Sequence, residues 1–409
     1  MTTTINNEQK KLNVPNLRFK EFQGEWEEKR LSEIAELYKG NGISKEQLSD
    51  RGEPCILYGE LYTKYKSEVI SEVVSKTDID TKKLVRSKAN DVIIPCSGET
   101  AEDIATARCV PYDNILLGGD LNIIRLHDTE GSFMSYQLNG KRKYDIAKVA
   151  QGVSVVHLYG EHLKGVKTYV PCVEEQKKIA RLLSLLDERI ATQSKVIDKL
   201  QSLIKGLNNH LYQQYGNEIE TSFADLGVSY SGLSGKTATD FGSGKPFITY
   251  LNVYSNNVIE ETSYQYVRMG ENEKQNIVRY GDVLFTLSSE TPEEVGIGSV
   301  YLGNQEVYLN SFCFGVHITN IQKVFSPYLS YYISTTQFRK FIYPFAQGST
   351  RFNLCKADFE KSKFKLPSLE NQKRIYESLK CLSGKVAAED AILKQYHSQK
   401  QYLLRQMFI

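Results

Sequence analysis

Acting on a nucleotide or a polynucleotide takes a few side-chain types at short, fixed spacings, and several fragments of this chain come close to those spacings. Gly235, Lys236 and Thr237 have the ending of a phosphate-cradling loop, but that loop needs a glycine at position 230, where Tyr230 stands. Gly242, Ser243, Gly244 and Lys245 fail one place later, because Pro246 occupies the hydroxyl position. His157 and His162 lie at a spacing that does not put two imidazoles on one helix face, so they do not read as a metal pair. Glu175, Gln176 and Lys177 have the Glu-x-Lys form of nuclease centres, yet they follow Pro171 in the first turn of a long helix, where charge is commonplace. No two prolines are adjacent, which excludes an Asn-Pro-Pro-Tyr loop for methylating amino groups, and no Gly-x-Gly-x-x-Gly turn occurs. The expectation is a chain with no catalytic centre, metal or cofactor of its own.

Side chains suited to binding a duplex are present instead. Arg351 and Asn353 have the forked geometries that pair with guanine and adenine edges, and Gln347, Ser349 and Thr350 stand beside them. The corresponding stretch earlier in the chain holds Gln151, Ser154 and His157. Ser97 and Thr100, and again Ser288, Ser289 and Thr291, place small hydroxyls after apolar runs; these are the weaker candidates and suit structural turns equally. Lys141 and Arg142, with Lys143, and the group Lys82, Lys83, Arg86 and Lys88 suit phosphates. Each of these also fits a plain polar loop or a solvated face.

The composition sets the frame. A chain of 409 residues, 41% hydrophobic and 24% charged, has room for two or three globular domains. A formal charge of +2 means that any polyanion surface is a local concentration of Lys and Arg. The seven cysteines are scattered with no C-x-x-C pair, which argues against a disulfide framework and against a cysteine zinc site. The first residues lack the apolar stretch of a signal peptide and no run approaches a membrane span, so a cytoplasmic protein is expected.

The candidate residues recur because the chain repeats itself. Ala150, Gln151 and Gly152 return 196 positions on as Ala346, Gln347 and Gly348, and Pro171 with Glu175 to Ile179 returns as Pro367 with Asn371 to Ile375. Earlier in each half the offset is 191 to 192: Gly52, Pro54, Tyr58 and Tyr62 match Gly244, Pro246, Tyr250 and Tyr254, and Asp91, Val92, Glu99 and Thr100 match Asp282, Val283, Glu290 and Thr291. Within each copy, short β-rich runs bounded by Gly, Pro and Asn read as strands of a twisted sheet with some helix.

After Pro171 the period changes to seven. Ile179, Leu183, Leu186, Ile190, Gln193, Ile197, Leu200, Ile204, Leu207 and Leu211 step alternately by four and three, the seam of a coiled coil or the buried face of an ordinary long helix. The same positions 196 residues later run from Ile375 to Met407 and are apolar except at Glu389 and Lys400. Two helices of equal length and phase are expected to pair. A parallel pair would force the domain between them to span roughly 50 Å, about 33 residues at ~1.5 Å each, so antiparallel is expected. The predicted fold class is α+β: two related mixed α/β domains separated by two long antiparallel coiled-coil helices under a pseudo-twofold repeat. The segments are an extension over 1–16, a domain over 17–172, a helix over 173–215, a domain over 216–367 and a helix over 368–409.

Heads of this kind suit two grooves of a duplex about one turn, ~34 Å, apart. These features resemble the specificity subunit of type I restriction-modification enzymes over essentially the whole chain. The resemblance is carried by Pro15, Asn16, Leu17, Arg18 and Phe19, by Gly24, Glu25 and Trp26, by Leu31 to Ile34, by the two Gln-Gly turns and by the paired Pro then Glu/Asn-Gln-Lys helix starts. It implies target recognition domains that read an asymmetric bipartite target in double-stranded DNA. It implies two modification subunits carrying S-adenosylmethionine and methylating adenine, and two restriction subunits hydrolysing ATP with Mg. It also implies that the helices dock the modification subunits, through exposed positions such as Lys178, Arg181 and Arg374. Two other readings remain open: a self-contained methyltransferase or nuclease, and a coiled-coil scaffold with no nucleic-acid role.

Overall fold

The computed structural model describes residues 12–152 and 155–409. The described residues divide into two compact units, one running to residue 194 and taking in 391–409, the other spanning 195–390.

The first unit is built on a four-stranded antiparallel sheet in the order Ala35–Lys39, Leu121–Leu126, Asp91–Pro95, Arg108–Val110. Asp91–Pro95 is buried along its whole length, as a near-continuous apolar run requires. A three-stranded sheet follows, in which Glu53–Ile56 pairs antiparallel with Ser75–Thr77 and parallel with Leu116–Leu117. An antiparallel ribbon of Glu27–Arg30 and Lys167–Val170 closes the domain just before the first long helix, Val173–Tyr215.

The second unit repeats this plan strand for strand. Its sheet runs Gly227–Ser231, Cys313–Ile318, Val283–Thr286, Gly298–Val300. Phe241–Ile248 pairs antiparallel with Gln265–Val267 and parallel with Tyr308–Leu309, and Ile219–Thr221 closes on Phe364–Leu366 before the second long helix, Leu369–Gln406. The fillings differ. Leu31, Val92, Ile94, Ile124, Met134 and Leu138 make an aliphatic core in the first unit. In the second, Phe223 lies 5.1 Å from Phe359 and 4.9 Å from Phe364 in an aromatic cluster with Phe285, Phe314 and Phe338.

Each unit is completed by the start of one long helix and the end of the other. Ile179, Ala180 and Leu183 pack with Leu404, Met407 and Phe408 in the first, and Ile204, Leu207 and Leu211 with Ile375 and Leu379 in the second. Start meets end both times, so the helices are antiparallel as expected. None of the twenty seam positions is exposed, Lys400 included.

The helix starts carry the repeated Gln for a structural reason. Gln176, 1% exposed, accepts from the Glu130 amide at 2.8 Å and donates to the Pro171 carbonyl at 2.8 Å. Gln372, fully buried, accepts from the Phe325 amide at 2.8 Å and donates to the Pro367 carbonyl at 2.9 Å and the Lys323 carbonyl at 3.0 Å. Glu175, also buried, holds Arg18 through two bonds of 2.8 and 2.7 Å, which ties the opening Pro-Asn-Leu-Arg segment to the helix.

Lys400, a buried charged residue of the seam, sits among polar partners in the first unit. Its ammonium bonds Glu68 and lies 2.6 Å from Asp187, both nearly buried, while the Tyr136 hydroxyl donates to Asp187 at 2.7 Å and the Ser67 hydroxyl at 3.0 Å. Burial and the nearby Asp187 push the Tyr136 phenol up, so it stays a donor. In the second unit Ile204, Asn257 and Ser383 hold the matching positions and line an open cavity of about 540 Å3. Replacing one member of a buried charge group strands the others, at a cost of about 3–5 kcal/mol. Lys400→Ile is therefore expected to lower the urea midpoint substantially, and adding Glu68→Asn with Asp187→Ser, which removes both opposite charges as in the second unit, to recover most of the loss. Equal midpoints for wild type and Lys400→Ile would refute the role given to the ammonium.

Candidate nucleic-acid interface

The residues picked out for base reading lie far apart in sequence, and the fold brings them into one ribbon in each unit. In the first, Val156–His157 pairs antiparallel with Ser97–Gly98, and His157 also bridges Gln151, the two exchanging backbone bonds of 2.9 and 2.7 Å. In the second, Phe352–Leu354 pairs with Ser288–Ser289 on one side and with Ala346–Gln347 on the other. Side chains directly opposite each other in such a ladder share a face. Each ribbon therefore carries a row of three polar residues: Ser97, His157, Gln151 and Ser288, Asn353, Gln347.

The turn joining the inner strands depends on glycine. Gly152 and Gly348 adopt φ of +127° and +142°, and a Cβ on either would fall 2.1 Å from the carbonyl oxygen of Val155 or Arg351. Tyrosines hold the outer strand: the Tyr62 hydroxyl donates to the Ser97 carbonyl at 3.1 Å, and Tyr250 to the Ser288 carbonyl at 2.7 Å. In the first unit the ribbon borders an open recess of about 610 Å3 lined by Tyr58, Tyr62, Glu99, Asp103 and Val155.

Exposure sorts the candidates. Gln151, His157, Gln347, Ser349, Thr350, Arg351 and Asn353 are exposed, and no side-chain hydrogen bond or ion pair joins them to any described residue. His157 lies over Tyr159 with ring centroids 6.3 Å apart. Ser154 lies outside the described residues. Ser97 is half-buried, whereas Ser288 and Ser289 are buried, and the Ser289 hydroxyl donates to Glu294 at 3.0 Å. Thr100 caps the helix Ala101–Ile104, accepting from the Asp103 amide at 3.0 Å. Thr291 begins the matching turn and, after Tyr254 and Ser289, helps to hold the Glu294 carboxyl below its usual range. Thr100, Ser289 and Thr291 thus serve caps and turns, with their hydroxyls engaged inside the unit.

Of the basic candidates, Lys141 is exposed, but Arg142 is committed internally. It donates to the Ile409 carbonyl at 2.9 Å, pairs with Asp145 at 3.0 Å and lies over the Tyr169 ring at 5.4 Å. Arg86 likewise grips Glu53 through bonds of 2.6 and 3.0 Å. On the helices, Lys178 bonds Glu21 and lies over Phe19 at 4.6 Å, Arg181 is 3.8 Å from Glu188, and Arg374 is exposed with no ion pair to a described residue. Among the described residues no three His, Cys, Asp or Glu side chains gather as a metal site, and no helix is long and apolar enough to cross a membrane.

Two copies of one domain, each ending in a long helix, are also what comparison finds. The type I restriction modification DNA specificity domain matches residues 23–202 and again 234–395. The chain belongs to that family. Its function is that of a type I specificity subunit, the recognition of a DNA sequence. The specificity subunit is similar to two from Methanocaldococcus jannaschii. It is 21% identical to the MjaVIII type I restriction enzyme specificity subunit, covering 94% of each chain, and 23% identical to the putative MjaX one, covering 97% and 95%. The crystal structure of the type I S subunit from M. genitalium shares its fold with a TM-score of 0.57 at 16% identity, covering 97% and 99% of the two chains. A structure from work on type I complex assembly and conformational transition matches with a TM-score of 0.56 over 94% and 97%.

Sequence reasoning missed the positioning groups. The specificity subunit uses the repeated Asp91 and Asp282 as buried anchors. Asp91 takes Arg125 at 3.0 and 2.8 Å beneath Tyr38, and Asp282 takes His317 at 2.8 Å beside Tyr230, whose ring stacks on the imidazole at 4.1 Å. Burial raises the Asp282 carboxyl, while the Arg279 amide, His317 and Tyr230 oppose the rise. The recurrence of Asp-Val in both halves was the available signal.

If the glycine turn sets the row, Gly348→Ala distorts it at a local strain of about 1–3 kcal/mol. Gel-shift affinity for specific duplex should fall at least tenfold, with the second unit's protection in hydrogen exchange kept outside the ribbon. Unchanged affinity would place DNA elsewhere.

Proposed function

We propose that this subunit reads an asymmetric two-part target, one half-site per unit, and directs modification or cleavage by partner subunits. The observation that carries the reading is that both units present the same ribbon in the same register with different exposed contents, Val155 and His157 against Arg351 and Asn353. A shared frame with unlike tips suits two related half-sites of unlike sequence. Exposed Lys141 suits a neighbouring phosphate.

The catalytic work falls to the partners in this reading. Two modification subunits supply S-adenosylmethionine for adenine methylation, and two restriction subunits supply ATP hydrolysis with Mg and the nuclease. The long helices are their docking surface, where Arg181 and Arg374 are more open than Lys178. The helix pair also fixes the unread spacer between half-sites, and the assembly works in the cytoplasm.

Mapping methylated adenines by single-molecule sequencing, in cells carrying the subunit and its partners, tests this. Two separated and unlike motifs are expected. Deleting seven matched residues from each helix removes ~10 Å of helix, or about three base pairs at a duplex repeat of ~34 Å per turn. The spacer should shorten accordingly with both half-sites kept. An unchanged spacer would remove the helices from that role. Methylation or cleavage by the purified chain alone would favour a self-contained enzyme. Absence of salt-sensitive duplex binding would favour a scaffold.

A further inference from the structure

The rows across the two ribbons are alike at their edges and unlike in the middle. Ser97 corresponds to Ser288 and Gln151 to Gln347, while the central position is His157 in one and Asn353 in the other. The serines are half-buried or buried. That leaves the glutamine as the exposed polar side chain that both rows share. No described residue bonds either carboxamide, yet the backbone beneath each is held by the neighbouring strand. Gln151 is held to His157 by the paired bonds of 2.9 and 2.7 Å, Gln347 is held in register with Asn353, and a left-handed glycine follows each.

A carboxamide offers one donor and one acceptor side by side, which matches the N7 acceptor and N6 amino donor of adenine in the major groove. An arginine would select guanine and a lone hydroxyl would discriminate poorly. A structural role would need an internal partner, as Gln176 and Gln372 have at the helix starts. Gln151 and Gln347 lack one among the described residues.

We propose that Gln151 and Gln347 each read an adenine at the equivalent position of their half-sites, so that the two unlike halves share one base pair. The central residues His157 and Asn353 then read bases that differ. The inference rests on the two-part reading given above and adds to it a defined base and a defined residue in each unit.

The test uses the full-length subunit with its partners on a duplex library randomised in both half-sites. Gln151→Ala should lower the preference for adenine at one position of the first unit's half-site, by roughly tenfold to a hundredfold. The second half-site should be untouched, and Gln347→Ala should do the converse. Replacing that adenine with 7-deazaadenine, which lacks the N7 acceptor, should weaken wild type and leave the matching alanine variant unaffected. Both glutamines are exposed, and an unchanged thermal midpoint in each variant shows that folding is intact. A uniform loss across all sequences would make the carboxamides phosphate contacts and overturn the proposal. So would relaxation at a base other than adenine, or no change. If wild type itself shows no two-part preference, the underlying reading fails; if it does and adenine dependence survives in both variants, this inference alone fails.

Discussion

The architecture depends on one buried carboxamide at each joint between a domain and a helix. A helix that begins immediately after a strand leaves polar backbone groups in a crowded, dry corner, and an unpaired one costs about 1–3 kcal/mol. Gln176 and Gln372 meet that need from both directions, taking an amide from the domain and giving to the carbonyl of the preceding proline. Glutamate in the same place would lose the donor, and leucine would lose both bonds. The orientation of each domain on its helix follows from these few contacts. Trp26, packed against Phe133 and Phe408 with centroids 5.7 and 6.3 Å away, braces the first joint from the other side.

Much of the fold was legible in the sequence because a repeat reports its own geometry. The change of offset from 191–192 to 196 has a physical location. The sheet strands Leu121–Leu126 and Cys313–Ile318 still match at 192, whereas Glu130 and Phe325, whose amides face the two buried glutamines, match at 195. Most of the difference therefore sits in one surface loop, where extra length disturbs no strand. The seven-residue period was equally readable, since every seam position is at least partly covered.

The site was legible in part. Ser, Thr, Arg and Lys near a Gln-Gly turn are visible as letters, but their exposure is not. Arg142 reaches a carbonyl 267 positions away, and the Ser289 hydroxyl turns to Glu294. The partners of Lys400 were hidden for the same reason: Glu68 lies 332 positions from it, and a lysine in a seam reads as a flaw until the carboxylates beside it are seen. The cores show the opposite case. An aliphatic and an aromatic filling support one strand order, because the sheet asks for volume and patterning rather than particular residues.

The group around Lys400 also sets a rule for how such chains can be recombined. Pro171 looks like the natural seam for transplanting the first domain, since the repeat unit changes character there. A cut at that place would carry Glu68 away with the graft and leave Asp187 and Lys400 in the recipient. An incoming domain with a neutral residue at position 68 would thus inherit an ill-matched electrostatic socket. Compatible donors are those that bring an acid with them, and shuffling between relatives is filtered by this hidden ionic bookkeeping as well as by shape.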